Sequence, residues 1–370
     1  MRASKFGWEI KEKYIAGGLI MDLNMLIKTA VESFASDIFV LSGFPVAIKA
    51  KGALSPINDE RMLPDGTQLL VGQIYELAKR PMDKLMRSGD DDFSFAVPGL
   101  SRFRVSTYKQ RGSLAAVIRV ISFGIPDYRD INIPEGVMDI TDRTKGMVLV
   151  TGPAGGGKST TLACMIDRIN ETRTGHIITL EEPIEYLHRN KKSIVSQREI
   201  ELDTESYLTA LSACLRQAPD VILVGEMRDF ETIRTAMTAA ETGHLVISTL
   251  HTLGAANSID RIVDVFPPNQ QQQIRMQLAM ILQSVVSQQL VPGVDGGMVP
   301  VFEIMHMNSA ARTLIRESKT HQINPLIASS GSEGMISMDN TLFRLCKEGL
   351  VTKENAIRYS INPDALEKRL

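Results

Sequence analysis

The chain has 370 residues, 44% of them hydrophobic and 23% charged, with a net charge of −2. That length favours two domains over one, and the near-neutral balance projects no strong field towards nucleic acid or anionic lipid. No apolar run reaches the roughly 20 residues that span a bilayer, and Cys164, Cys214 and Cys346 form no C-x-x-C pair, so a reducing, cytoplasmic setting without zinc knuckle or disulfide framework is expected.

Residues 1–20 are a leader of unknown role. From Asp22 a helix is expected to about Ser33, then strands over Ala35–Leu41 and Pro45–Ala50 with a turn at Ser42-Gly43. One helix is expected over 66–87, followed by strands at Asp90–Val97, Ser101–Tyr108 and Leu114–Ile121. This describes a small α+β domain over 21–121. The stretch 122–134 holds two prolines, a glycine and no clear period, and reads as a linker. Beyond it, over 135–370, apolar strands alternate with helices, which implies a parallel sheet covered on both faces and an α/β class. The strands are Met147–Val150, Gly175–Leu180, Asp220–Val224 and His244–Thr249, with a helix near Phe230–Glu241. A helix is expected from Gln270 to Gln289, and a helical region from about Asn308 to the end.

The chemistry gathers at one stretch. After the strand Met147–Val150 comes Gly152-x-x-x-x-Gly157-Lys158-Ser159, and then a helix. Glycines let the backbone curl so that its N–H groups face an anion, and the new helix adds the positive end of its dipole. This is a P-loop, in which Lys158 would reach the β- and γ-phosphates and Ser159 would ligate Mg²⁺. Hydrolysis also needs carboxylates, which in open parallel sheets sit at the carboxyl ends of the strands. Two strands end that way, in Glu181-Glu182-Pro183-Ile184-Glu185 and in Gly225-Glu226-Met227-Arg228-Asp229. His244 and His251 flank a third strand and are candidates for phosphate sensing. Arg102, Arg104 and Arg119 lie in strands of the first domain, either as a solvated strand face or as arginine fingers for a neighbouring subunit.

Together these motifs resemble the PilT family, the retraction ATPases of type IV pili within the secretion ATPase superfamily. The resemblance rests on Gly152–Thr161, on the acidic box Leu180-Glu-Glu-Pro-Ile-Glu185 and on the Walker B segment Asp220–Asp229. It extends through the histidine box Glu241–Thr252 to the run Ala311-Arg-Thr-Leu-Ile-Arg-Glu317, and it covers about residues 21–365. It implies a PAS-like α+β first domain, a RecA-like P-loop ATPase second domain and a homohexameric ring using ATP and Mg²⁺. Gly152, Pro153, Ala154, Gly155, Gly156, Gly157, Lys158, Ser159 and Thr160 would hold the nucleotide. Glu185 would be the general base, Glu226 would hold the Mg²⁺ shell through water, and His244 and His251 would contact the phosphates. Arg104 and Arg119 would reach nucleotide. The ring would bear on the inner-membrane pilus platform protein from the cytoplasmic face, with a paralogous retraction ATPase as a further partner and no nucleic acid, and would drive twitching motility. The chain departs from the family pattern at Ala154, Gly156, Glu182, Ala311 and Thr313. The alternatives are an assembly or type II secretion ATPase, whose four-cysteine zinc element is missing here, an accessory subunit with little activity alone, and a nucleic-acid motor.

Overall fold

A computed structural model describes residues 22–50, 53–121 and 124–370, together with the backbone of a two-residue antiparallel pair, Tyr14–Ile15 with Gly18–Leu19. The remainder of the 1–20 leader lies outside the described residues. The chain divides between Phe123 and Gly124 into two compact units.

The first unit opens with helix α1 (Leu23–Glu32), whose entry is fixed by Asp22 accepting the Asn24 N–H at 3.0 Å. Strands β1 (Ala35–Val40), β2 (Ala47–Ala50) and β3 (Ala53–Pro56) follow, then helices α2 (Pro64–Leu77) and α3 (Asp83–Ser88). Strands β4 (Asp90–Val97), β5 (Ser101–Gln110) and β6 (Ser113–Ile121) complete a six-stranded antiparallel sheet in the order β3-β2-β1-β6-β5-β4. Along β5, Phe103, Val105 and Thr107 are buried, while Arg104 and Ser106 face outward, as the period of two requires. Leu26 and Ile27 of α1 and Leu70 and Ile74 of α2 share a core with Ile38, Phe103 and Ile118 of the sheet. This is the small α+β layer expected from the order of helices and strands.

The helix expected over 66–87 is two helices. Lys79 takes a left-handed φ of 52°, and the Arg80 and Lys79 N–H groups close onto the Tyr75 and Glu76 carbonyls, a Schellman ending. Pro81 then cannot continue the ladder. The break turns Arg80 onto the buried Asp91 carboxylate, which it grips with two bonds of 3.0 Å beside the Tyr75 hydroxyl.

The second unit is built on a seven-stranded sheet. Its strands are β7 (Gly146–Thr151), β8 (His176–Glu181), β9 (Ile194–Glu199), β10 (Val221–Val224), β11 (Leu245–Leu250), β12 (Leu282–Pro292) and β13 (Met298–His306). Their order is β9-β8-β10-β11-β7-β12-β13, all parallel except for the β12–β13 hairpin. Helices α4 (Lys158–Thr172), α5 (Tyr207–Cys214), α6 (Phe230–Glu241), α7 (Ala255–Asp264) and α8 (Pro268–Ile281) connect and cover the strands. Helix α9 (Ser309–Arg316) opens the expected C-terminal helical region. β7 and β10 are buried throughout, which is why they read as unbroken apolar runs.

Two sequence expectations change here. The helix expected to run to Gln289 ends at Ile281, and the chain turns directly into β12. Val285 and Val286 are consecutive and both fully buried, each in the core on a different face of the sheet, as the period of two requires of an interior strand covered on both sides. The linker expected over 122–134 is also shorter. Tyr128 and Ile133 are buried against Val148, Leu162 and Ile166, so residues 124–134 pack into the second unit's core.

Candidate active site

Three left-handed or near-extended glycines shape the loop after β7: Gly152 (φ 146°), Gly155 (φ 72°) and Gly157 (φ 83°), the last opening α4. A side chain at 152 is impossible, because a Cβ there would lie 2.0 Å from the Gln288 carbonyl oxygen. The loop faces a cleft of about 310 Å³ at the carboxyl ends of β7, β8, β10 and β11. Lys158, Ser159, Glu181, Glu182, Glu185, Tyr207, Glu226, Arg228 and His251 all line it. Topology brings them together: strands of one parallel sheet deliver their following loops to one edge, here around the P-loop strand.

The polar groups form a connected set. Lys158 Nζ donates to the Gly152 and Pro153 carbonyls at 2.9 Å each and stands 3.4 Å from His251 Nδ1. An ammonium has no acceptor, so Nδ1 must accept. His251 Nε2 then carries the proton and points it at Glu226 Oε1, 3.3 Å away. The other Glu226 oxygen takes Arg228 at 2.7 Å. Burial pushes the Glu226 carboxyl up, but Arg228 and His251 outweigh it and hold the group below its ordinary range. Burial also lowers the Lys158 ammonium, opposed by the Glu226 and Glu185 charges. Ser159 Oγ donates to Glu185 Oε1 at 2.9 Å, and the Thr160 hydroxyl meets Tyr186 at 2.8 Å. Asp229, in contrast, caps α6 by accepting the Thr232 N–H at 2.9 Å.

His244 is not brought to this cleft. It precedes β11 at the end opposite the P-loop, with Nδ1 bonded to the Ala239 carbonyl at 3.0 Å. Six strand residues separate it from His251, about 20 Å of extended chain. Both histidines were expected to contact the phosphates; within this chain His251 lines the cleft and His244 lies at the other end of β11. Arg104 and Arg119 lie directly opposite each other on β5 and β6, both exposed on the first unit's sheet. Arg119 Nε also reaches Asp37 at 3.0 Å.

Glu181, the first carboxylate of the acidic box, is a group whose role the sequence pattern does not single out. It ends β8 at the wall of the cleft, where its Oε1 accepts from Thr179 Oγ1 at 2.6 Å and Gln197 Nε2 at 3.2 Å. Burial pushes its carboxyl up to about 7; the two hydrogen bonds oppose this, and the Glu185 and Glu199 charges add to it. The unfolded chain releases this proton near 4.5, so between there and about 7 the folded chain binds more protons and its stability falls as pH rises. Glu181→Gln keeps the Oε1 acceptor and removes the ionisation. It is expected to raise stability at pH 8 by roughly 1–3 kcal/mol and to change nothing at pH 4. Melting curves across that range check this, and parallel wild-type and variant profiles would contradict it.

A parallel sheet with a phosphate-binding loop at its carboxyl edge and opposed carboxylates defines a RecA-like P-loop ATPase. The sequence profile of the family described as "Type II/IV secretion system protein" matches residues 14–333. The chain is 43% identical to the type IV pilus retraction ATPase PilT of Pseudomonas aeruginosa, over 91% of this chain and 97% of that one. It is 42% identical to a twitching motility protein of Neisseria gonorrhoeae, over 93% and 91%. Its fold matches the crystal structure of the pilus retraction motor PilT with bound ADP at a TM-score of 0.85 and 47% identity, over 93% of this chain and 98% of that one. The chain belongs to the PilT family of type II/IV secretion system proteins.

Proposed function

We propose that this chain is the ATP-hydrolysing subunit of a type IV pilus retraction motor. The observation that carries the reading is the convergence of Lys158, Ser159, Glu185, Glu226 and His251 on one cleft. Gly152–Thr160 hold the phosphates, and Lys158 exchanges its two carbonyl partners for phosphate oxygens. Glu185 takes the proton of the attacking water. His251, oriented by Glu226, presents its ring to the phosphate. The oxygen donors fit Mg²⁺: Ser159 and Glu226 share the cleft, and among the described residues no cluster of three or more His, Cys, Asp or Glu stands ready to chelate an ion. Mg²⁺ keeps several waters and takes one or two protein oxygens beside the phosphates, so Ser159 would bind directly and Glu226 through water. Bound there it would neutralise phosphate charge.

The subunits form a homohexamer in which Arg104 and Arg119 act as arginine fingers. Two guanidinium groups directly opposite one another repel, and an anion between them relieves that repulsion. The ring works at the cytoplasmic face of the inner membrane on the pilus platform protein, alongside a paralogous retraction ATPase and without nucleic acid. Among the described residues no helix is long and apolar enough to cross a membrane.

The test is hydrolysis by the purified chain against its concentration, with mass measured in parallel. Activity that rises as rings form supports the motor. A ring that binds MgATP and releases no phosphate sinks it in favour of an accessory subunit. In cells, deleting the chain is expected to stop twitching while pili remain on the surface; loss of pili would instead favour the assembly ATPase.

A further inference from the structure

The strand that sequence periodicity disguised as a helix braces the loop that binds the nucleotide. β12 lies beside β7, with Ser287 in register with Thr151 at the start of the P-loop. Its next residue, Gln288, is 1% exposed, and its Nε2 donates to the Gly156 carbonyl at 2.6 Å. The amide orientation follows from chemistry, since a carbonyl only accepts. Gln288 Oε1 is buried with no hydrogen-bond partner among the described residues. The loop closes tightly on this residue. A Cβ at Gly156 would lie 3.3 Å from the Gln288 carbonyl oxygen, and one at Gly157 would lie 3.1 Å from Nε2. The neighbours hold the strand firmly: Ser287 Oγ accepts the Gly254 N–H and Gln289 Nε2 donates to the Tyr359 carbonyl, both at 2.8 Å.

A peptide unit is planar and trans, so its C=O and N–H point in opposite directions. Pinning the Gly156 carbonyl towards β12 therefore turns the Gly157 N–H away from it, towards the cradle side of the loop. Left free, two flanking glycines would let this peptide rotate and present a carbonyl to the phosphate. We propose that Gln288 is a positioning residue that fixes the Gly156–Gly157 peptide and thereby sets the affinity of the P-loop for phosphate. This rests on the nucleotide-binding reading above. Gln288 touches no reacting atom; it acts through backbone.

The experiment is calorimetric titration of the full chain with ADP, inorganic pyrophosphate and adenosine, for the wild type, Gln288→Met and Gln288→Glu. Methionine keeps the volume and loses the donor. ADP and pyrophosphate are expected to bind it about tenfold more weakly, a loss the size of one hydrogen bond, while adenosine binds as before. In turnover the loss falls on KM rather than kcat. Glutamate keeps the shape but sets a carboxylate against a carbonyl. Its loss is expected to be larger at pH 8 and to shrink as the pH falls and the buried group regains an O–H donor, a rescue the wild type does not show. Should Gln288→Met fail to fold, that rescue decides alone. Phosphate affinities of both variants within about twofold of wild type overturn the proposal, and so do equal losses for adenosine and ADP, which mean general loosening. A wild-type chain that binds neither ADP nor pyrophosphate overturns the nucleotide reading itself.

Discussion

Glu185→Gln is expected to cut steady-state ATP hydrolysis by about 10²–10⁴-fold, the ordinary contribution of a general base, while ADP and ATP still bind. The geometry separates Glu185 from its neighbours. Glu226 is spoken for by Arg228 at 2.7 Å and His251 at 3.3 Å, and its depressed basicity makes it a poor proton acceptor. Glu181 takes two hydrogen bonds on one oxygen at the side wall of the cleft. Glu185 is exposed on the loop after β8, and among the described residues its hydrogen bond is to the hydroxyl of Ser159, the residue that would ligate the metal. Glutamine preserves that acceptor and the side-chain volume and removes only the basic site, so binding should survive. Phosphate release read beside fluorescent-ADP binding checks this. A variant retaining more than about a tenth of wild-type turnover would assign the proton to another group.

How much of this was legible beforehand depended on how local each signal was. The P-loop and the Gly225–Asp229 cluster follow continuous apolar runs and the Glu181–Glu185 cluster follows a largely apolar one, and the strand-to-cleft rule for parallel sheets then places them together without any knowledge of packing. That rule brings Glu185, Glu226 and His251 to one cleft. His244 lies apart from that cleft because it precedes its strand, and a residue that precedes a parallel strand lies at the amino edge. Gln288 was hidden by an ambiguity of period. From Ile281 to Val291 the apolar residues fit a helical stripe nearly as well as a strand buried on both faces, and only the adjacent β-branched pair Val285-Val286 tilts the balance. The short linker was invisible for another reason. Tyr128 and Ile133 are isolated apolar residues among prolines, and nothing local announces that the second unit's core receives them. The turn at Arg80-Pro81 was readable, since a proline inside a helical pattern ends the helix at the residue before it.

Lys158→Ala is expected to weaken ATP binding by about 10–100-fold, the worth of a hydrogen bond to a charged group, and to lower hydrolysis by at least about 10³-fold. The ammonium donates to the Gly152 and Pro153 carbonyls at 2.9 Å and stands 3.4 Å from His251 Nδ1. Those partners are neutral, and burial disfavours the charge, so these contacts add little to the stability of the fold. Phosphate changes this balance, because an ion pair in a partly buried cleft is stronger than an ion–dipole contact. The advantage grows as charge shifts during phosphoryl transfer, which is why turnover should suffer more than affinity. Stability separates this account from a structural role. Removing a partly desolvated charge should leave the melting temperature of the empty chain level or slightly raised, while titration with ADP and a non-hydrolysable ATP analogue shows weakened binding. A variant that melts several degrees earlier would instead mean that Lys158 chiefly holds the loop together, its two carbonyl bonds outweighing the cost of burying its charge.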